Sequence, residues 1–300
     1  MSTPNETILT AQAIHPHTTS GTEAIPPPTR ATANPEDPPW GVPSALATWL
    51  VSIALLAIVP NLCVLPYVAY RYQGAPVVTK EILLSDRTFV LLFVSGWVPA
   101  HLLTLALVWA VATRLGKFSL REVFGLSWPS GFGAWKSVGL AIALFLVAML
   151  LISLFGAQKT DLDRILESSR AAALTLAFIA VATAPLAEEF IYRGLLYAAL
   201  QRAIGPLLAV VVVASMFAGL HVLQYWPNVG AITSVTLLSV VLTIVRARTG
   251  RLLPCVAIHL VFNGVTSLII IFEPYLRALF EAWRQSASSG TLTYLQHFLD

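Results

Sequence analysis

The sequence predicts an all-α membrane protein, a polytopic bundle of about seven transmembrane helices behind a disordered N-terminal tail. Three observations predict it. Hydrophobic residues make up 57% of the 300-residue chain and charged residues 11%, against about 45–50% and about 25% in a soluble domain. Mean hydropathy is +0.76. From Ala45 onward, apolar runs follow one another, each near the length of about 20 residues that a helix needs to cross a bilayer. So few charges cannot cover a surface in water, which excludes a soluble enzyme and a disordered regulator. The net charge of +3, scattered along the chain, excludes a nucleic-acid binder. Cys63 and Cys255 both lie in apolar runs, so neither a disulfide framework nor a CxxC metal site is available.

The elements follow in chain order. Residues 1–43 hold nine of the nineteen prolines, with Thr, Ser and Asn filling much of the rest. Such a stretch buries too little apolar surface to offset its ordering entropy and is expected to be a disordered tail. It has no basic segment leading into an apolar one, so it does not read as a cleavable signal peptide. His15 and His17 within it are read as solvated. Residues 44–160 are expected to hold the first transmembrane helices and a basic connecting segment, and residues 161–273 the remaining spans. Residues 274–300 are expected to be an amphipathic tail. The spans are placed at 45–70, 88–113, 137–156, 171–203, 206–225, 230–246 and 252–272. The fourth is about 50 Å long as a helix, so it must tilt, kink or project. Pro185 is the ready kink, because it has no N–H for the Val181 carbonyl. The flanking Lys and Arg residues divide nine to eight between the two faces, a small excess that places the N-terminus inside.

The informative residues are those that interrupt the apolar runs. The fourth, fifth and seventh spans contain Glu188, Glu189, Arg193, His221, His259 and Asn263. An ionisable group at mid-membrane costs about 2.5–3.5 kcal/mol on insertion scales, so such groups pair inside the bundle or line a wet cavity. Glu189 and Arg193 are four residues apart on one helix face, as are His259 and Asn263. Gly205-Pro206 reads as the turn of a helical hairpin. Glu188 and Glu189 lie 17 and 16 residues before Gly205, and His221 lies 16 after it. All three therefore stand about 24–26 Å from the turn, at one level.

Two carboxylates, two imidazoles, an amide and a guanidinium in a low-dielectric cavity suit hydrolysis. A carboxylate beside a histidine can hold and deprotonate a water. A second histidine and an Asn amide can donate to the oxyanion that forms on an attacked carbonyl. Arg193 keeps one glutamate ionised and leaves the other free to take a different role. Two histidines and a glutamate are also a known Zn²⁺ ligand set, so Glu188, His221 and His259 stand as metal ligands in the alternative that uses an ion.

Ala187-Glu188-Glu189-Phe190-Ile191-Tyr192-Arg193 resembles the EExxxR motif of the CPBP family, the CAAX proteases and bacteriocin-processing enzymes. Phe217 to His221 resembles that family's FxxxH, and His259 to Asn263 its HxxxN. The resemblance covers about residues 170–270. It implies an intramembrane endopeptidase like the type II CAAX prenyl proteases, with residues 161–273 as the catalytic domain. By the same resemblance Glu188 activates a water with His221, His259 and Asn263 serve the oxyanion, and Glu189 and Arg193 support them. It implies a membrane protein or peptide as substrate, the lipid bilayer as surroundings and a multi-pass place in a bacterial plasma membrane. A catalytically silent bundle, serving partner binding or bacteriocin immunity, is the alternative, and a proton relay or transporter is the third.

Other protease patterns are absent or misplaced. The sequence has no HExxH and no GxGD, and Gly125-Leu126-Ser127 sits in a basic connecting segment rather than a span. His101 lies in a span without a companion motif and is read as structural. Lys159, Asp161, Asp163, Arg164 and Glu167 are read as a solvated loop.

Overall fold

The computed structural model describes residues 34–75, 77–156 and 158–299; of Pro274 and residues 286–299 it describes the backbone. The chain is a helical bundle. Helices α1 (Val42–Arg71), α2 (Lys80–Ser85), α3 (Arg87–Ser95) and α4 (Trp97–Ala112) come first. They are followed by α5 (Leu120–Phe124), α6 (Ala134–Phe155) and α7 (Asp161–Ser168). The fourth long rod is segmented into α8 (Arg170–Phe178), a π-turn Ile179–Thr183, α9 (Ala184–Glu189), a second π-turn Phe190–Leu196 and α10 (Tyr197–Ile204). Helices α11 (Pro206–Tyr225), α12 (Val229–Thr249) and α13 (Leu253–Leu299) complete the chain.

Among the described residues seven stretches are long and apolar enough to span a membrane: Val42–Arg71, Arg87–Ala112, Ala134–Phe155, Arg170–Ile204, Pro206–Tyr225, Val229–Thr249 and Leu253–Glu273. They coincide with the seven read from sequence. The burial pattern is inverted relative to a soluble protein. Leu62, Leu146, Leu154 and Leu207 are exposed, while Glu189, Arg193, Ser239 and Thr243 are fully buried. Apolar side chains that face lipid carry no penalty, whereas polar ones must find partners inside. The protein is therefore a multi-pass membrane protein.

Helix α1 packs along α3 and α4, and α6 packs between α12 and α13. The α1 contact is backbone to backbone. A Cβ on Gly96 would stand 2.6 Å from the Pro60 Cα, so only glycine allows that approach. Gly125 ends α5 in the left-handed region at φ 61°, and its backbone abuts Gly250 and Arg251.

Two expectations need correction. Of the predicted tail, residues 1–33 lie outside the described residues, but residues 34–41 pack onto the bundle. Arg246 donates to the Pro35 carbonyl at 3.0 Å. Arg202 donates to the Pro38 carbonyl at 2.8 Å and pairs with Asp37 at 3.0 Å. Arg114 donates to the Pro39 carbonyl. Trp40 is buried, lies 5.7 Å from the Phe124 ring and donates its indole N–H to the Leu195 carbonyl at 3.1 Å. Composition signals little apolar surface here, yet arginines at the ends of three different spans tie the segment down through its backbone carbonyls.

The predicted loop around Asp161 is the helix α7. A capping box starts it, with the Asp163 N–H on Thr160 Oγ1 and the Thr160 N–H on Asp163 Oδ2 at 2.7 Å, and Ile165 is buried beneath it. Lys80 pairs with Asp161, and Lys159 with Glu167.

Asp86 shows how a span entrance is fixed. Its Oδ1 accepts the N–H groups of Thr88 and Phe89, capping α3, and its Oδ2 accepts the hydroxyls of Tyr67 and Tyr72. Burial alone would raise the Asp86 carboxyl, but these hydrogen bonds outweigh it and hold it below the usual carboxylate value. A depressed folded value means stability that is present above the unfolded pKa and is lost as pH falls through the folded one. The stability gap between wild type and Asp86→Asn, which keeps a capping oxygen without the charge, is expected to close as pH drops below about 4. Chemical unfolding in detergent across pH checks this, and a gap independent of pH contradicts it. Trp40→Ala is expected to cost about 3–5 kcal/mol by the same measurement, which removal of an unpacked tail residue would not.

Candidate active site

The site grows out of the segmented fourth span. In the first π-turn the Ala184 N–H bonds to the Ile179 carbonyl, five residues back. In that register the carbonyl opposite Pro185 belongs to Ala180 rather than Val181, and proline has no N–H to give it. The Asn263 amide fills the gap, donating to the Ala180 carbonyl at 2.8 Å. One amide N–H of Asn263 is thus used in tying α13 to the widened helix.

The second π-turn follows Glu188-Glu189 directly. It too exposes backbone acceptors. The Arg193 carbonyl accepts from Arg246 Nε at 3.2 Å, and the Leu195 carbonyl accepts from Trp40. Gly194 lets this turn lie against α5, because a Cβ there would meet the Phe124 ring at 2.7 Å.

Glu189 and Arg193 are fully buried and paired, with Nη1 to Oε1 at 2.9 Å. Arg193 spends its remaining donors on α12. Nε reaches Thr243 Oγ1 at 3.2 Å, and Nη2 reaches both the carbonyl and the hydroxyl of Ser239 at 2.9 Å. Its guanidinium also lies over the Phe217 ring at 4.7 Å. Ser239 and Thr243 were not singled out in the sequence, although hydroxyls four residues apart on an apolar span are a signal for such a partner.

Glu189 Oε1 also accepts the Nδ1–H of His259 at 2.8 Å. With Arg193 keeping Glu189 ionised, the network assigns the proton to Nδ1 and leaves Nε2 as the free nitrogen. His259 Nε2 stands 3.7 Å from Glu188 Oε2. Glu188 differs from its neighbour: its side chain is 25% exposed, against 0% for Glu189.

His221 donates Nδ1–H to the Phe217 carbonyl at 2.8 Å, which in the neutral imidazole leaves Nε2 as the acceptor. Its ring stacks between Phe217, at 4.2 Å, and Tyr225, at 6.1 Å. Phe217 in turn meets His259 edge-on at 6.3 Å and Tyr192 at 5.0 Å. Trp49 of α1 fixes Tyr192 by donating to its hydroxyl at 3.1 Å. Glu188, Glu189, Arg193 and His259 are linked directly, and His221 is joined to them through the Phe217 ring, which packs on Arg193 and His259. Asn263 is tied instead to the backbone of the fourth span, at the Ala180 carbonyl. Among the described residues no three His, Cys, Asp or Glu side chains are placed to hold one metal ion.

Fold and site together define a polytopic helical membrane protein with a cluster of polar and ionisable side chains inside its bundle. Residues 170–265 match the Rce1-like family model, described as type II CAAX prenyl endopeptidase Rce1-like. The family resemblance carried by the three motifs thus holds over that stretch, which contains all six site residues. No curated protein and no solved structure matches the chain.

Removing Arg193 leaves the Glu189 charge buried and uncompensated. Arg193→Leu is expected to destabilise the protein by about 3–5 kcal/mol, and Arg193→Leu with Glu189→Gln by less than that single change. Unfolding of the three variants in detergent checks the order. Equal losses in the single and double variants contradict the pairing as the source.

Proposed function

We propose that the protein is an intramembrane endopeptidase, in which Glu188 and His221 hold and activate a water for attack on a peptide carbonyl near the membrane surface. The observation that carries this reading is the unequal fate of two adjacent glutamates. Glu189 is sealed and paired with Arg193, while Glu188 stays a quarter exposed, with His259 Nε2 3.7 Å from its carboxylate. Two carboxylates in different environments are the usual basis for two roles.

The chemistry follows from the donors and acceptors. Glu188 and the unprotonated Nε2 of His221 are both acceptors, suited to bind the two hydrogens of one water. Glu188 takes the proton as the water oxygen bonds to the carbonyl carbon. The second amide N–H of Asn263 stabilises the oxyanion, and His259, held on Glu189 through Nδ1–H, joins it only in the imidazolium form in which Nε2 also carries a hydrogen. As the tetrahedral species collapses, the C–N bond breaks and Glu188 returns its proton to the leaving amine. The name of the matched family supplies the first substrate class to try, a prenylated C-terminal CAAX peptide, within the wider class of membrane proteins and peptides.

The free Nε2 atoms of both histidines, together with Glu188, are also Zn²⁺ donors by chemistry. Because no three such groups among the described residues are placed to share an ion, the steps above are written with protein groups alone. Stoichiometric zinc in the purified protein, lost on His259→Ala, would establish the metal alternative.

Glu188→Gln is expected to lower kcat by about 10²–10⁴-fold with the melting temperature preserved. Cleavage of a fluorogenic prenylated CAAX peptide measures this. Mass spectrometry of protein termini, in membranes carrying wild type or Glu188→Gln, covers other substrates. If neither assay yields a product that depends on Glu188, the bundle is a non-catalytic binding protein.

A further inference from the structure

The chain turns sharply where the second span ends. Arg114 and Leu115, just beyond α4, both take left-handed backbone at φ 49° and 58°, and Gly116 continues it at φ 89°. Two successive non-glycine residues in that region are strained, yet the turn is held. The Leu115 N–H bonds to the Ala110 carbonyl at 2.9 Å, and the Gly116 N–H to Thr113 Oγ1 at 2.8 Å. The turn brings Arg114, Leu115 and Lys117 onto one groove of about 470 Å³. Ser44 in the first turn of α1 and Val111 in the last turn of α4 line it too, and the segment before α1 forms one side.

Charge and place together define what fits. Two cations line the groove, and among the described residues no acid does. The acid nearest in the preceding segment, Asp37, is taken by Arg202. Arg114 gives Nε and Nη2 to the Pro39 carbonyl, which neutralises nothing. Lys117 has no partner among the described residues. The spans Val42–Arg71 and Arg87–Ala112 both end here, so the groove lies where two helices leave the hydrocarbon, at the level of lipid headgroups. Its rim is apolar. Leu115 is 75% exposed and Trp109 45%, with the Trp109 ring beneath the turn, 3.8 Å from where a Cβ of Gly116 would stand. Indole rings settle at the membrane–water boundary, and a bare leucine is at ease there only against lipid. A soluble anion would use the cations and leave this rim in water.

We propose that the groove is a binding site for one anionic phospholipid, with Arg114 and Lys117 on the headgroup phosphate and the acyl chains running down α4 past Trp109. Basic pockets between spans suit such headgroups. A zwitterionic lipid would set its own cation against the same two side chains. The proposal makes no use of Glu188 or His221 and stands apart from the peptidase reading. The bound lipid would also secure Arg114, and with it the segment whose Trp40 holds the Leu195 carbonyl in the second π-turn.

The test titrates the full chain, delipidated in detergent, with dioleoylphosphatidylglycerol, with dioleoylphosphatidylcholine and with inorganic phosphate. Native mass spectrometry counts the lipid bound. Phosphatidylglycerol is expected to saturate at one site in preference to phosphatidylcholine. Lys117→Gln is expected to weaken it about fivefold, Arg114→Gln with Lys117→Gln further, and Lys117→Arg little. Because Lys117 touches no protein partner, Lys117→Gln leaves the melting temperature of the lipid-free protein as it was, so the result stands even where Arg114→Gln loosens the segment before α1. Arg121→Gln removes an exposed charge outside the groove and is expected to leave the affinity unchanged. Equal affinity for the two lipids, or equal weakening by Arg121→Gln and Lys117→Gln, overturns the proposal. So does displacement of the lipid by millimolar inorganic phosphate, which would make this a site for a free anion.

Discussion

The buried Glu189–Arg193 pair is the constraint on which the rest of the structure depends. Neither charge reaches water, and an ion at membrane depth is tolerated only when it is paired inside the bundle. Pairing these two gathers the helices. Arg193 needs acceptors, and α12 supplies Ser239 and Thr243. Its guanidinium face needs an electron-rich surface, and α11 supplies Phe217. Glu189 has capacity left on the oxygen facing Arg193, and α13 supplies His259. One ion pair four residues apart on a single helix thereby fixes the positions of three others. In lipid, apolar contact between helices gives little discrimination, so these polar contacts set the register of the bundle.

The second organising feature is backbone rather than side chain. A π-turn widens the helix and leaves carbonyls without their usual partners. Here three carbonyls of the widened helix accept side chains from elsewhere: Ala180 from Asn263, Arg193 from Arg246, Leu195 from Trp40. The irregular helix is thus held from α13, from α12 and from the segment before α1. Non-helical backbone at membrane depth is stable only when it is enclosed by protein in this way. The enclosure also aims Glu188 and Glu189, which lie between the two π-turns, in their two directions.

Much of this was legible in the sequence. Hydropathy marked the seven spans, because a bilayer imposes length and composition on any helix that crosses it. Helical rise alone placed Glu188, Glu189 and His221 at one depth, since a tight turn at Gly205 makes residue counts comparable on both sides. What was not legible depended on partners distant in sequence. Residues 34–41 look unfoldable by composition, yet Arg114, Arg202 and Arg246 hold their carbonyls, and carbonyls leave no mark on a sequence. Ser239 and Thr243 are too common in membrane helices to stand out until Arg193 is seen against them. Asp161–Ser168 read as loop because its charges outnumber its apolar residues, although the Thr160–Asp163 capping box was available as a helix signal. Pro185 was recognised as a kink, but the shift of its orphan carbonyl from Val181 to Ala180 requires knowing that a π-turn precedes it.

The matched stretch 170–265 and the working unit are not the same object. Every side chain that suggests chemistry by motif lies inside that stretch. The groups that orient those side chains do not all lie there. Trp49 of α1 holds Tyr192, which packs on Phe217, which carries His221 on its face. Trp40 holds the far end of the second π-turn. Rate in a preorganised site depends on errors well below 1 Å, so residues that never touch a substrate still govern it. The first span and the segment before it therefore help to hold the site. A related chain with the three motifs but different first spans should keep the site's donors and acceptors while aiming them differently.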